Sequence, residues 1–193
     1  MNVYDFDNTI YNGDSTFDFY LFCLKRHKRI LLLVPSLAFS WVRYYVFRIG
    51  TKTQFKEAMY KFLKYCDTAN DVCDFWQTHI SKIKDWYLKQ KKTDDVIVSA
   101  SPEFLLCPLK EILNVDIIAS KVDKASGKYC GVNCYYDEKV RRFREVYPDA
   151  QIDEFYSDHY SDEPLAKIAK KAYIVDGNKI LNWNFKKHIK PKT

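Results

Sequence analysis

No uncharged apolar stretch in this chain reaches the ~18 to 20 residues that a membrane-spanning helix requires. The strongest candidate, Ile30 to Val42, is interrupted by Pro35, so no transmembrane span is expected. No secretory leader is expected, because Asp5 and Asp7 stand where its apolar region would have to lie, and a cytoplasmic protein is expected. Closely spaced metal-binding pairs are lacking too. The six cysteines fall at 23, 66, 73, 107, 130 and 134, and Cys130 with Cys134 has no second close Cys or His pair beside it, so reduced thiols are expected rather than zinc or disulfides. Glycine is scarce, with five in 193 residues, and there is no internal repeat or low-complexity tract. No nucleic-acid-binding module is recognisable, and the Lys/Arg runs interspersed with Asp/Glu read as solvated surface, so no nucleic-acid partner is expected.

What is present is apolar and aromatic. Hydrophobic residues make up 47% of the chain and aromatics 17%, enough for a buried core in one large domain or a domain carrying an insertion. The net charge of +6 favours acidic partners such as phosphate esters, anionic membrane surfaces or nucleic acid, without choosing among them.

From Thr93 onward, short apolar runs alternate with helical patterns. Val96-Ile97-Val98, Val115 to Ala119, Asp153 to Ser157 and Ala172 to Val175 read as strands, with helices from Ser101, over Asp137 to Val146 and from Asp162 to Lys170. A β-hairpin is expected over Lys121 to Tyr136, and a tight turn at Asp176 to Lys179. This alternation predicts an α/β fold with a mainly parallel, Rossmann-like sheet covered on both faces. Residues 12–92 break it. They read as helices only: one capped by Asp14, Ser15 or Thr16, one from Thr51 or Thr53 to Tyr65, and one from Asn70 to about Lys91. The expected division is a core of residues 1–11 and 93–193 with an all-helical insertion at 12–92. The tail from Lys186 is expected to be loose.

The chemistry gathers at strand ends. Asp5 and Asp7 follow the first strand in Asp5-Phe6-Asp7-Asn8-Thr9, and alternate residues of an extended segment point the same way, so two carboxylates share one crevice. A hard divalent cation with oxygen ligands is the usual relief for such a pair. One carboxylate can then act as a nucleophile while its neighbour holds a proton. Ser99 follows the strand at 96–98, Lys139 opens a helix, and Asp158 and Asp162 follow the strand ending at Ser157.

In order and spacing, these four elements resemble the motifs of the haloacid dehalogenase superfamily of aspartate-nucleophile phosphatases. The resemblance implies that Asp5 is the nucleophile and Asp7 the general acid and base. It further implies that Thr9 steadies the loop and belongs with Ser99, the adjoining Ala100 and Lys139 to the phosphate-binding set, and that Mg²⁺ is held by Asp5, the Asp7 carbonyl and Asp158 with Asp162 in support. The helical insertion is similar to a type 1 cap, which places the chain in the capped subgroup IB with phosphoserine phosphatases. Two positions depart from the pattern: Ser157 stands where most relatives have Gly, and Asp14 where phosphoserine phosphatases carry Glu. Ser99-Ala100-Ser101-Pro102 and Glu138-Lys139-Val140-Arg141-Arg142 look closer to the phosphatidylglycerophosphate phosphatase branch, implying a lipid phosphate as substrate. The alternatives are a soluble small-molecule ester and, in another class, a non-catalytic protein that uses the acidic crevice only to bind.

Residues 30–49 leave two readings open. The favoured one is a buried helix of the cap; the other is an interfacial segment that makes peripheral contact with the inner face of a membrane.

Overall fold

The computed structural model describes residues 1–185, so the tail expected from Lys186 lies outside the described residues. Along the chain run β1 (Asn2–Tyr4), α1 (Ser15–Arg26), α2 (Val34–Trp41), α3 (Lys52–Tyr60), α4 (Thr68–His79), α5 (Asp85–Gln90), β2 (Val96–Pro102), α6 (Glu103–Leu113), β3 (Asp116–Ser120), α7 (Asp137–Val146), β4 (Ile152–Ser157), α8 (Glu163–Ile168), β5 (Ala169–Asp176) and β6 (Lys179–Asn182). The strands form one six-stranded sheet in the order β3-β2-β1-β4-β5-β6, parallel except for the last pair. This is the mainly parallel sheet expected.

Strand alternation explains the two layers. In β1, Val3 faces one side with Val96, Val98, Phe155, Phe143 and Leu165, the apolar set beneath α7 and α8. Tyr4 faces the other with Ile97, Leu105, Leu109, Phe75 and Trp76. Phe19, Cys23, Tyr60 and Phe62 of the helical insertion belong to this second set, so the insertion shares an apolar core with the sheet. β1 lies between β2 and β4, and the chain winds outward from it in both directions; the carboxyl ends of these three strands therefore flank a crevice.

Several sequence expectations need correction. The helix expected over 70–91 breaks after His79 and resumes at Asp85. At the break, the buried Lys84 donates to the carbonyls of Asn8 and Gly177 (2.5 and 2.6 Å), and its amide donates to Ile10 O (2.8 Å). A continuous helix would have taken these groups out of reach of the loop after β1. The helix expected to Tyr65 ends at Tyr60 and closes with a tighter turn. Residues 121–136 form no extended β-hairpin; a single bridge, Val122 to Tyr129, closes a turn in which Gly127 takes a positive φ, and Gly131 takes another just beyond it. β2 runs past Ser99 to Pro102, and the next helix starts at Glu103.

The reading of residues 30–49 as buried cap is overturned. Ile30 and Leu33 are buried, but α2 and the turn of π-helix after it (Val42–Val46) bury no residue, and Leu32, Phe39 and Phe47 are 72%, 69% and 66% exposed. Among the described residues, no helix is long and apolar enough to cross a membrane.

All six cysteines are free. Cys23, Cys66 and Asp71 lie together in the helical layer, where both Asp71 oxygens are already engaged by Arg26 (3.2 Å) and His27 (2.7 Å).

Candidate active site

The loop after β1 is built to hold two carboxylates. The Asp5 amide extends the ladder to β4 by donating to Tyr156 O (2.8 Å), and Phe6 turns fully inward. Asn8 takes a left-handed φ of 56°, which Asn tolerates better than most residues, and its amide donates to Gly13 O (2.8 Å). The amides of Ile10 and Tyr11 both donate to Phe6 O (3.0 Å each), closing the turn. Thr9 is fully buried; its Oγ1 accepts from the Asp158 amide (2.8 Å) and lies 3.4 Å from Asp5 Oδ2 and 3.5 Å from Asp158 Oδ1, so one hydroxyl ties the first motif to the last.

Lys139 projects from the first turn of α7 and is only 2% exposed. Its Nζ donates to Asp5 Oδ1 and to Asp162 Oδ2, each at 2.6 Å. Burial alone would lower its pKa, but the charges of Asp162 and Asp5 prevail and keep it protonated. Asp162 also accepts from Ser157 Oγ (2.9 Å). The departure from Gly at 157 thus has a use: its side chain orients the carboxylate that anchors Lys139. Ser99 is buried, with its Oγ accepting from the Ser101 amide (3.1 Å), and Ala100 lines the crevice, its carbonyl accepting from Lys56 Nζ (3.2 Å).

Asp7 is held from two sides. Its Oδ1 accepts from the Ser15 amide at the start of α1 (2.7 Å) and its Oδ2 from the Ser101 hydroxyl. Burial first, then the charge of Asp14, push its carboxyl up to about 6 despite these hydrogen bonds. Burial and the charges of Asp5 and Asp162 push Asp158 up to about 7, and burial raises Asp162. Asp5, Asp158 and Asp162 thus place three carboxylates against one ammonium. An all-oxygen, under-neutralised group of this kind fits a hard divalent cation.

All eight residues expected at the site come together around one cavity of about 660 Å³, lined by Asp5, Asp7, Ser99, Ala100, Lys139, Asp158 and Asp162, with Thr9 behind its wall. The helical insertion contributes Phe17, Tyr45, Phe55, Lys56, Met59 and Tyr60. Sequence reasoning missed Ser101, which it took as the start of a helix, and Lys56, which carries no motif. The Glu138-Lys139-Val140-Arg141-Arg142 run is partly scaffolding: Glu138 accepts from both arginines (2.7 and 2.8 Å), and Arg142 also donates to Ala119 O (2.7 Å).

The sequence pattern of the haloacid dehalogenase-like hydrolases matches residues 3–167. Protein CicA of Caulobacter vibrioides is 33% identical over 100 residues, 48% of this chain and 44% of CicA, so the match spans less than half of that relative's length. Two solved structures share the fold. A protein of unknown function from Bordetella pertussis superposes with a TM-score of 0.70 at 19% identity, over 89% of this chain and 87% of the other. A phosphoserine phosphohydrolase-like protein from Francisella tularensis gives 0.53 at 18% identity, over 89% and 86%.

Proposed function

The chain belongs to the haloacid dehalogenase-like hydrolase family, whose pattern spans its residues 3–167, and from that membership we propose that it hydrolyses phosphate monoesters through an aspartyl-phosphate on Asp5. The observation that carries this reading is the buried Lys139 ammonium held between Asp5 and Asp162 at 2.6 Å each, at the wall of a cavity that Asp7 and Ser99 also line.

A phosphate dianion repels an attacking carboxylate, so cationic groups must meet its oxygens first. Lys139 supplies one such charge, and the Ser99 hydroxyl a hydrogen bond. An Asp5 oxygen bonds to phosphorus as the bond from phosphorus to the alcohol oxygen breaks, and the proton of Asp7 passes to that oxygen. The Asp7 carboxylate then takes a proton from water as the water attacks phosphorus, which releases phosphate and frees Asp5. Asp5, the Asp7 carbonyl and Asp158, with Asp162 in support, would hold Mg²⁺. Bound there, the ion would offset the excess carboxylate charge and stabilise charge on the phosphate. Residues 12–92 act as the cap that covers the reaction, with the core formed by 1–11 and 93–193.

For the alcohol half, a lipid phosphate such as phosphatidylglycerophosphate is the leading class. Phe17, Tyr45, Phe55 and Met59 give the cavity an apolar lining suited to a lipid, and the motif resemblance at 99–102 and 138–142 supports it. A soluble ester of the phosphoserine kind is the second reading. Asp14 lies at the cavity where an acidic group would meet the ammonium of such a substrate, but one of its oxygens already accepts from the Phe17 amide (2.9 Å). A screen of phosphoserine, sugar phosphates, nucleotides and lysophospholipid phosphates, with and without Mg²⁺, tests both levels. The general reading predicts Mg²⁺-dependent release of phosphate from at least one ester, and the finer one predicts the lipid series as the best substrates. Release from none would contradict the phosphatase reading, and a preference for phosphoserine the lipid reading.

A further inference from the structure

The segment between Asp18 and Glu57 contains no acidic side chain, while it carries Lys25, Arg26, Lys28, Arg29, Arg43, Arg48, Lys52 and Lys56. Arg26 is paired with Asp71 and Asp74, and Lys56 donates to Ala100 O. Among the described residues, Lys25, Lys28, Arg29, Arg43 and Arg48 form no ion pair, and all five are exposed. Between them lies the most exposed apolar stretch of the chain: Leu31, Leu32, Val34, Phe39, Trp41, Tyr45, Val46, Phe47 and Ile49. Single exposed apolar residues are ordinary, but nine large ones within 19 positions are not. Tyr45 is at once exposed, in ring contact with Trp41 (5.5 Å) and part of the cavity lining, so the apolar stretch runs up to the edge of the active-site cavity.

We propose that this face, residues 31–49 with its basic flanks, docks on an anionic phospholipid bilayer and sets the cavity's edge at the lipid surface. The inference rests on the phosphatase reading only for what the docking delivers. Three observations choose the occupant. An apolar stretch between unpaired cations matches an anionic interface, where aliphatic and aromatic side chains enter the acyl boundary while Lys and Arg meet headgroup phosphates. A second copy docked symmetrically on the same face would bring like charges together without an acidic group to offset them. The face is also too short to span, so the contact is with one leaflet.

The test is co-sedimentation with phosphatidylcholine vesicles and with vesicles containing phosphatidylglycerol, at low and high salt, with nitrophenyl phosphate hydrolysis measured in parallel. The protein is expected to sediment with phosphatidylglycerol vesicles at low salt and less so at high salt. Each basic group near such a surface is worth about fivefold in binding, so Arg43→Gln with Arg48→Gln should weaken it about thirtyfold. Phe39→Ser with Phe47→Ser should weaken it at least about tenfold by removing buried apolar area. Both double variants alter exposed side chains outside the cavity lining, and both should keep the hydrolysis rate and circular dichroism of the parent. Absence of binding at low salt, or binding unchanged in both variants, would overturn the proposal. So would a dimer of the parent protein that Phe39→Ser with Phe47→Ser dissolves, since a second copy would then cover the face. Hydrolysis without vesicle binding overturns the docking alone; vesicle binding without hydrolysis leaves the docking and sinks the phosphatase reading.

Discussion

Asp7 keeps its proton up to about 6 because burial and the nearby Asp14 charge oppose ionisation more strongly than the Ser101 and Ser15 hydrogen bonds favour it. That places it where one carboxyl can be an acid in one step and a base in the next. Asp7→Asn should therefore slow hydrolysis of an alkyl phosphate by about 10² to 10⁴. The first step with nitrophenyl phosphate should suffer far less, because that leaving group needs no proton; an equal first-step loss for both esters would contradict the acid role. Ser101→Ala gives a second handle. The Ser101 hydroxyl favours the ionised form of Asp7, so its loss should raise the Asp7 pKa further. The alkaline limb of alkyl-ester hydrolysis, where Asp7 has lost its proton, should then move up by on the order of one pH unit. A limb that stays in place would remove Ser101 from the account.

At the scale of elements, the parallel strands and motif-bearing loops were legible because their signals are local. Apolar runs end in Asp5, Ser99 or Ser157, and Asp14 caps α1 through the Phe17 amide as its residue type predicts. The errors lie where distant partners decide. Nothing near Lys84 in sequence says that its ammonium reaches carbonyls at Asn8 and Gly177, which is what the break between α4 and α5 serves. The apolar run at 30–42 read as core because burial is the usual fate of such residues, yet the structure leaves most of it exposed. Within residues 121–136, Gly127 takes φ 72°, and an added Cβ would lie 2.6 Å from Tyr60 Cβ and 2.7 Å from Tyr60 O. The hairpin pattern gave way to turns that pack this segment against α3. Gly127→Ala should destabilise the fold by about 2 to 3 kcal/mol through backbone strain and overpacking. A melting temperature unchanged from the parent would contradict that packing.

Over the whole molecule, a net positive chain concentrates negative charge at one place, where Asp5, Asp158 and Asp162 outnumber Lys139. Asp7, Asp158 and Asp162 all have folded-state pKa values raised above that of an unfolded Asp, so the folded state binds more protons and stability falls as pH rises from the unfolded Asp range, the loss ending near about 6 for Asp7 and about 7 for Asp158. In chelator, the melting temperature should therefore be higher at pH 5.5 than at pH 7.5. Mg²⁺ at about 100 times its Kd should restore about 5 to 10 °C at the higher pH; no Mg²⁺ shift there would contradict the site as an ion-binding centre. The proposed attack of Asp5 on phosphorus is read most directly by trapping the phosphoenzyme. The Asp7→Asn protein, in which water attack is slowed, is mixed with substrate and Mg²⁺, treated with borohydride to reduce any acyl phosphate, and digested for mass spectrometry. Homoserine in place of Asp at position 5, dependent on substrate, is the predicted result. An unmodified Asp5 in a sample that releases the alcohol at the first-step rate, or homoserine at another position, would contradict the account.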